Sequence, residues 1–228
     1  MNIKTLLSPL NVDELYFTKK TTVVIDVLRA TTTIVTALAN EAKEIIPVSA
    51  VEFAMKVSGD AFSGQTLLAG ERNTQKIDGF SLGNSPLEFT SENVKGKSIV
   101  FYTTNGSKAI VKAKYSSKLV ISSFLNTFSA AEFVSKSEGI VILCSDSICA
   151  GALIDQLSEL LGDIELDDAS KTCLFLFKKN RKRLKKMLSE TEHGMKLVNG
   201  GFQKDIDYAS QLNLFKIVPL YTKGSIKL

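Results

Sequence analysis

Short β-branched apolar runs alternate with segments of helical period along nearly the whole chain. Strands are predicted at 23–27, 44–48, 67–69, 97–102, 119–122 and 139–143, because each is a compact apolar run bounded by polar or turn residues. Helices are predicted at 33–40, 51–57, 107–114, around 129–135 and at 150–161. The first of these rests on Ile34, Ala37, Leu38 and Ala42, which recur at helical spacing. The C-terminal third reads as mainly helical, with a last short strand near 216–219. The exception is 70–93, which has little periodicity. A long irregular segment inside a compact domain is often functional.

Strands alternating with helices predict an α/β fold: a three-layer α/β/α sandwich around a mostly parallel or mixed sheet. The interior strands are continuously apolar, as helices on both faces require. At 228 residues the chain is expected to form a single domain over 1–228, with the C-terminal helices as a lobe upon it. Its 44% hydrophobic and 23% charged content is ordinary for a globular protein. No leader is visible at Met1-Asn2-Ile3-Lys4, and no apolar run approaches the roughly 20 residues that span a bilayer. The expected location is cytoplasmic. Cys144, Cys149 and Cys173 make no zinc pattern and are read as reduced, buried thiols.

The net charge is +4, but seven basic residues lie within 178–186, and without them the rest carries −3. Phe177, Leu184 and Leu188 fall at helical spacing, so the run reads as the wet face of an amphipathic helix rather than a nucleic-acid site. Neither nucleic acid nor membrane is an expected partner.

Candidate chemistry concentrates at strand-to-helix turns, where open α/β sheets place ligands. The strand at 23–27 delivers Asp26, then Arg29, then Thr31, Thr32 and Thr33 into a helix start. Asp26 could hold magnesium, attack phosphorus, or cap the helix. Arg29 could grip a phosphate through two hydrogen bonds, or pair with Asp26 or Glu41. Three hydroxyls at a helix start are more than capping needs. Thr103-Thr104-Asn105-Gly106-Ser107 repeats this logic after another strand. Glu71-Arg72 and Gly83-Asn84-Ser85-Pro86 lie in the irregular segment, with Glu88 as a further acid, and Asp146 follows the strand at 139–143. Cys149 at a helix start would need a base to act as a nucleophile, and the sole histidine, His193, is distant in sequence. His193 is read as structural.

These motifs, in this order, resemble the 2-phosphosulfolactate phosphatase family. They are Asp26-Val27-Leu28-Arg29-Ala30-Thr31-Thr32-Thr33, Gly70-Glu71-Arg72, Gly79-Phe80-Ser81-Leu82-Gly83-Asn84-Ser85-Pro86, Thr103-Thr104-Asn105-Gly106 and Asp146-Ser147-Ile148-Cys149-Ala150-Gly151-Ala152. The tail from His193-Gly194 through Asp205-Ile206 to Val218-Pro219 also resembles that family. The resemblance implies a magnesium-dependent phosphatase that converts 2-phosphosulfolactate to 3-sulfolactate and phosphate, a step of coenzyme M synthesis in methane-forming organisms. Two features depart from the family pattern. Ser81 stands where the family usually has Asp, and the loop before Asp146 is short. If Ser81 replaced a metal ligand, or the missing loop covered substrate, activity or specificity would differ.

The expectation is metal-assisted hydrolysis of a small anionic phosphorylated substrate. Mg2+ would be held among Asp26, Glu71 and Asp146. Asp26 and Arg29 are the catalytic candidates. Thr31, Thr32, Thr33, Asn84, Ser85, Thr104, Asn105 and Gly106 would bind substrate, and Arg72 or a nearby lysine would take its sulfonate or carboxylate. Whether water or Asp26 attacks phosphorus stays open, as does self-association. The alternatives are a non-catalytic phosphate- or sulfonate-binding protein of the same fold, or a phosphatase for another small phosphorylated acid.

Overall fold

The computed structural model describes residues 1–9, 12–60 and 66–228. Among these the strands are β1 (Asn2–Leu6), β2 (Thr21–Ile25), β3 (Glu44–Val48), β4 (Thr66–Arg72), β5 (Gln75–Lys76), β6 (Ser98–Tyr102), β7 (Lys118–Ser122), β8 (Gly139–Cys144), β9 (Glu165–Leu166), β10 (Leu220–Thr222) and β11 (Ser225–Lys227). The helices are α1 (Ala30–Ala39), α2 (Val51–Asp60), α3 (Ser91–Val94), α4 (Gly106–Lys112), α5 (Thr127–Val134), α6 (Ser147–Leu161), α7 (Asp168–Asn180), α8 (Leu184–Ser189), α9 (Glu192–Asn199) and α10 (Gln203–Ala209).

One mixed sheet runs β5-β4-β6-β3-β11-β10-β7-β2-β8-β1-β9. It has two parallel blocks, β4-β6-β3 and β7-β2-β8-β1-β9. The hairpin of β10 and β11 joins them by antiparallel pairing to β7 and β3. Helices cover both faces, giving the three-layer α/β/α sandwich. Successive strand residues face opposite ways, and the cores record this alternation. Val24, Ile99, Phe101, Leu119, Ile121 and Leu143 share one core with α1 and α4. Val23, Ile25, Val120, Ile140 and Ile142 share the other with α5, α6 and α7. Val100 and Tyr102 pack under α2. The C-terminal helices enter the same core as β1, β2 and β8 through Leu184, Leu188, Leu197 and Ile206. The basic run flanks Phe177, Leu184 and Leu188, all buried, so it does lie on a wet helical surface.

The strand expected at 216–219 lies instead in the β10–β11 hairpin. Pro219 has no N–H to give a ladder, although its carbonyl accepts from Ile121 N at 3.0 Å. The hairpin turn is Lys223-Gly224, with φ of 51° and 91°, the left-handed pair that matches strand twist. β1 was not foreseen as a strand. It alternates exposed and buried positions between β8 and β9. Gly151 lets α6 and α7 meet closely, since a Cβ there would run into the Cys173 carbonyl.

Register positions the site. Ile25 pairs with Cys144, so Asp26 and Asp146 leave the sheet side by side. Gly70 pairs with Tyr102, which sets Glu71 beside Thr103 and Thr104. Gly70 has φ 153°, and a Cβ there would collide with the Tyr102 carbonyl.

Candidate active site

Asp26 follows the last residue of β2 and is 8% exposed. Its backbone is fixed by α1: its N–H donates to Thr31 Oγ1 at 3.0 Å, and its carbonyl accepts from the Thr31 amide at 2.8 Å. Burial, then the charge of Asp146, push the Asp26 carboxyl up to about 7; the Ala30 amide opposes the rise, Glu71 adds to it and Arg29 opposes it. Burial also raises Asp146, against hydrogen bonds from the Val27 amide and Ser145 and the charge of His193. The Val27 amide donates to Asp146 Oδ2 at 2.6 Å. The short loop after β8 thus ties Asp146 directly to the residue after Asp26.

Glu71 is buried and braces two loops. Its Oε1 accepts from the Thr104 amide and its Oε2 from the Thr74 amide, both at 2.8 Å. Arg29 is also buried. Its Nη1 meets Asp205 Oδ2 at 2.7 Å, its Nη2 donates to the Thr74 carbonyl at 2.8 Å, and its guanidinium lies 4.2 Å from the Phe202 ring centre. Its ion-pair partner is therefore Asp205, not Asp26 or Glu41. The other Asp205 oxygen accepts from Ser85 Oγ at 2.7 Å.

A cavity of about 660 Å³ opens over these groups. Asp26, Arg29, Glu71, Asn84, Thr104 and Asn105 line it together. A second cavity of about 440 Å³ shares Asp26, Thr104 and Asn105 and adds Gly106. Gly106 touches the acid itself: a Cβ there would stand 2.5 Å from Asp26 Oδ2. Among the buried side-chain oxygens without a hydrogen-bond partner are Asn84 Oδ1 and Thr104 Oγ1. Both belong to residues of the larger cavity wall.

Several expected site residues lie elsewhere. Thr31, Thr32 and Thr33 are fully buried, and their hydroxyls donate to the carbonyls of Asp26, Val27 and Asn84. They hold the turn under Asp26 and do not face the cavity. Ser85 spends its hydroxyl on Asp205. Arg72 is exposed and outside the lining, because strand alternation that buries Glu71 turns its neighbour away. Glu88 accepts from the Gly83 amide at 2.8 Å and braces that turn. Ser81 is exposed and lines neither cavity, so its departure from the family pattern does not alter either wall. Cys149 is buried, and burial followed by the charge of Asp146 pushes its thiol well up, which disfavours a thiolate nucleophile.

Other lining residues were not foreseen. His193, Lys196 and Asn199 of α9 form part of the cavity wall, as do Asn73, Thr74 and Gln75. The signal for α9 was present as polar residues at steps of three beside buried Gly194 and Leu197.

Oxygen donors dominate the wall around Asp26, and two of the buried ones lack partners among the described residues. Such a donor set suits a hard cation such as magnesium. The crowding that raises Asp26 would be relieved by a cation. Among the described residues, however, no three Asp, Glu, His or Cys side chains form a ready-made cage. A magnesium ion here would draw on Asp26 plus neutral oxygens and water rather than on three carboxylates alone.

The fold is an α/β/α sandwich with a polar cavity lined by acids at strand ends and by oxygens of the neighbouring turns. The chain belongs to the 2-phosphosulfolactate phosphatase family: the family model described as 2-phosphosulpholactate phosphatase matches residues 7–224. It is 42% identical over 219 residues to a protein of Caldanaerobacter subterraneus subsp. tengcongensis, covering 92% of this chain and 90% of that one. It is 38% identical to one of Symbiobacterium thermophilum, with 90% and 93% covered. It is 34% identical to one of Clostridium acetobutylicum, with 99% and 100% covered. Each of these relatives is named probable 2-phosphosulfolactate phosphatase. Among the described residues no helix is long and apolar enough to cross a membrane.

Proposed function

We propose that the chain hydrolyses 2-phosphosulfolactate to 3-sulfolactate and inorganic phosphate at Asp26, with magnesium as cofactor. The observation that carries this is the meeting of both cavities at Asp26, beside buried oxygens that have no partner among the described residues. Family membership supplies the substrate. Magnesium would be held by Asp26, with Glu71 and Asp146 contributing charge around it and water completing the shell. When bound, the ion supplies Lewis-acid stabilisation of the phosphoryl oxygens.

The remaining work falls to the chain's own residues. Glu71 fixes the Thr104 and Thr74 amides, so the loops after β4 and β6 hold one geometry around the phosphoryl group. Arg29, pinned by Asp205 and stacked on Phe202, sets a fixed positive edge where charge develops. The bond from phosphorus to the bridging oxygen on carbon 2 breaks, and that oxygen leaves with a proton as the sulfolactate hydroxyl. The entering oxygen comes from water, directly or through an Asp26 acyl phosphate. We read the enzyme as cytoplasmic, in keeping with three buried cysteines that form no disulfide.

Phosphate release from 2-phosphosulfolactate, with magnesium and after its removal by chelation, tests the reading. Release that stops on chelation and returns on adding magnesium is the expected result. Binding without release would make the chain a carrier of phosphate or sulfonate. Release from other phosphorylated acids alone would change the substrate.

A further inference from the structure

The larger cavity takes its wall from two kinds of element. The strand ends contribute Asp26 and Glu71, and the charge of Arg29 there is matched by Asp205. The α9 wall presents His193, Lys196 and Asn199 instead. These residues are three apart and share one stripe of the helix, while Gly194 and Leu197 are buried against the fold. Lys196 meets Glu192 at 2.7 Å, but the two side chains are 62% and 85% exposed. Such an exposed pair contributes little and yields readily to an incoming anion.

A substrate bearing phosphate, sulfonate and carboxylate cannot lay all three against carboxylates, since like charges repel strongly at close range. The phosphoryl group belongs at Asp26, where the reaction takes place. Its two other anionic groups then need donors beyond the acidic wall. We propose that the α9 stripe of Lys196, His193 and Asn199 is the subsite for the sulfonate and carboxylate, and so selects phosphate esters that carry a second anion. This rests on the phosphatase reading of the same cavity. Lys196 supplies the charge, and His193 and Asn199 supply N–H donors beside it.

Titration calorimetry on the full chain with magnesium tests it, using 3-sulfolactate and inorganic phosphate as separate ligands. Lys196→Gln is expected to weaken sulfolactate about tenfold, as loss of a charged hydrogen bond does, and to leave phosphate within about twofold. Lys196→Arg is expected to bind sulfolactate close to wild type. Melting curves of both variants should match wild type, because the side chain is exposed. The subsite is overturned if both ligands weaken equally, if neither weakens, if Lys196→Arg loses as much as Lys196→Gln, or if wild type binds no sulfolactate. A chain that shows the expected pattern but releases no phosphate from 2-phosphosulfolactate keeps the subsite and sinks the phosphatase reading.

Discussion

A Cβ on Gly106 would lie 2.5 Å from Asp26 Oδ2 and would also press on the Ala30 methyl. Gly106→Ala must therefore displace the carboxylate or the turn that carries it. Misplacement of a reacting group by an ångström can cost about a hundredfold in rate. Gly106→Ala is expected to lose at least about that much in kcat. Steady-state phosphate release checks it, and a variant within a few-fold of wild type would show that Asp26 does not need its position. At this scale the sequence located the buried acids better than it located what the hydroxyls face. Asp26, Glu71 and Asp146 are recognisable because an acid after a buried strand needs a reason. Thr31, Thr32 and Thr33 look the same whether they face a ligand or their own carbonyls, and here they face the carbonyls of Asp26, Val27 and Asn84.

Helix α10 reaches the site through one side chain. Asp205, 2% exposed, joins Arg29 after β2 to Ser85 in the 83–86 turn. Removing one member of a buried ion pair strands the other charge, at a cost of about 3–5 kcal/mol. Asp205→Asn is expected to destabilise the fold by about that amount, read by denaturant unfolding. A loss below about 1 kcal/mol would mean that Arg29 finds its support elsewhere. Sequence periodicity located most strands and helices but not this link, which spans 176 positions. Local patterns carry no record of such a partner. The same limit hid α9 as a cavity wall: His193 alone suggests a structural histidine, and only the folded chain sets it in one cavity with Asp26.

At the scale of the whole molecule, the β10–β11 hairpin joins the two parallel blocks into one sheet. β11 lies against β3, where Lys227 meets Glu44 at 2.9 Å and Ser98 donates to Glu44 at 2.9 Å. Burial works to raise the Glu44 carboxyl, but hydrogen bonds from Lys227, Ser225 and Ser98 outweigh it and hold the group below its ordinary 4.5. A lowered folded pKa gives stability that is present above the unfolded value and lost as pH falls through the folded one. Glu44→Gln is accordingly expected to show a smaller loss of stability than wild type between about pH 6 and pH 3 in urea unfolding. An unchanged acid limb would remove Glu44 from that role. The α/β/α architecture was legible because helix and strand periods alternate so regularly. The hairpin that unites the two parallel blocks was not, because its pairing is with strands far away in the chain.

Phosphoryl transfer at Asp26 rests on that carboxylate, whether it holds the metal or attacks phosphorus. The decisive measurement is phosphate release from 2-phosphosulfolactate by Asp26→Asn and by wild type, both with magnesium and with the fold verified by melting curve. Wild type is expected to turn over, and the variant to lose about a thousandfold or more. Turnover by Asp26→Asn close to that of wild type would remove Asp26 from the reaction.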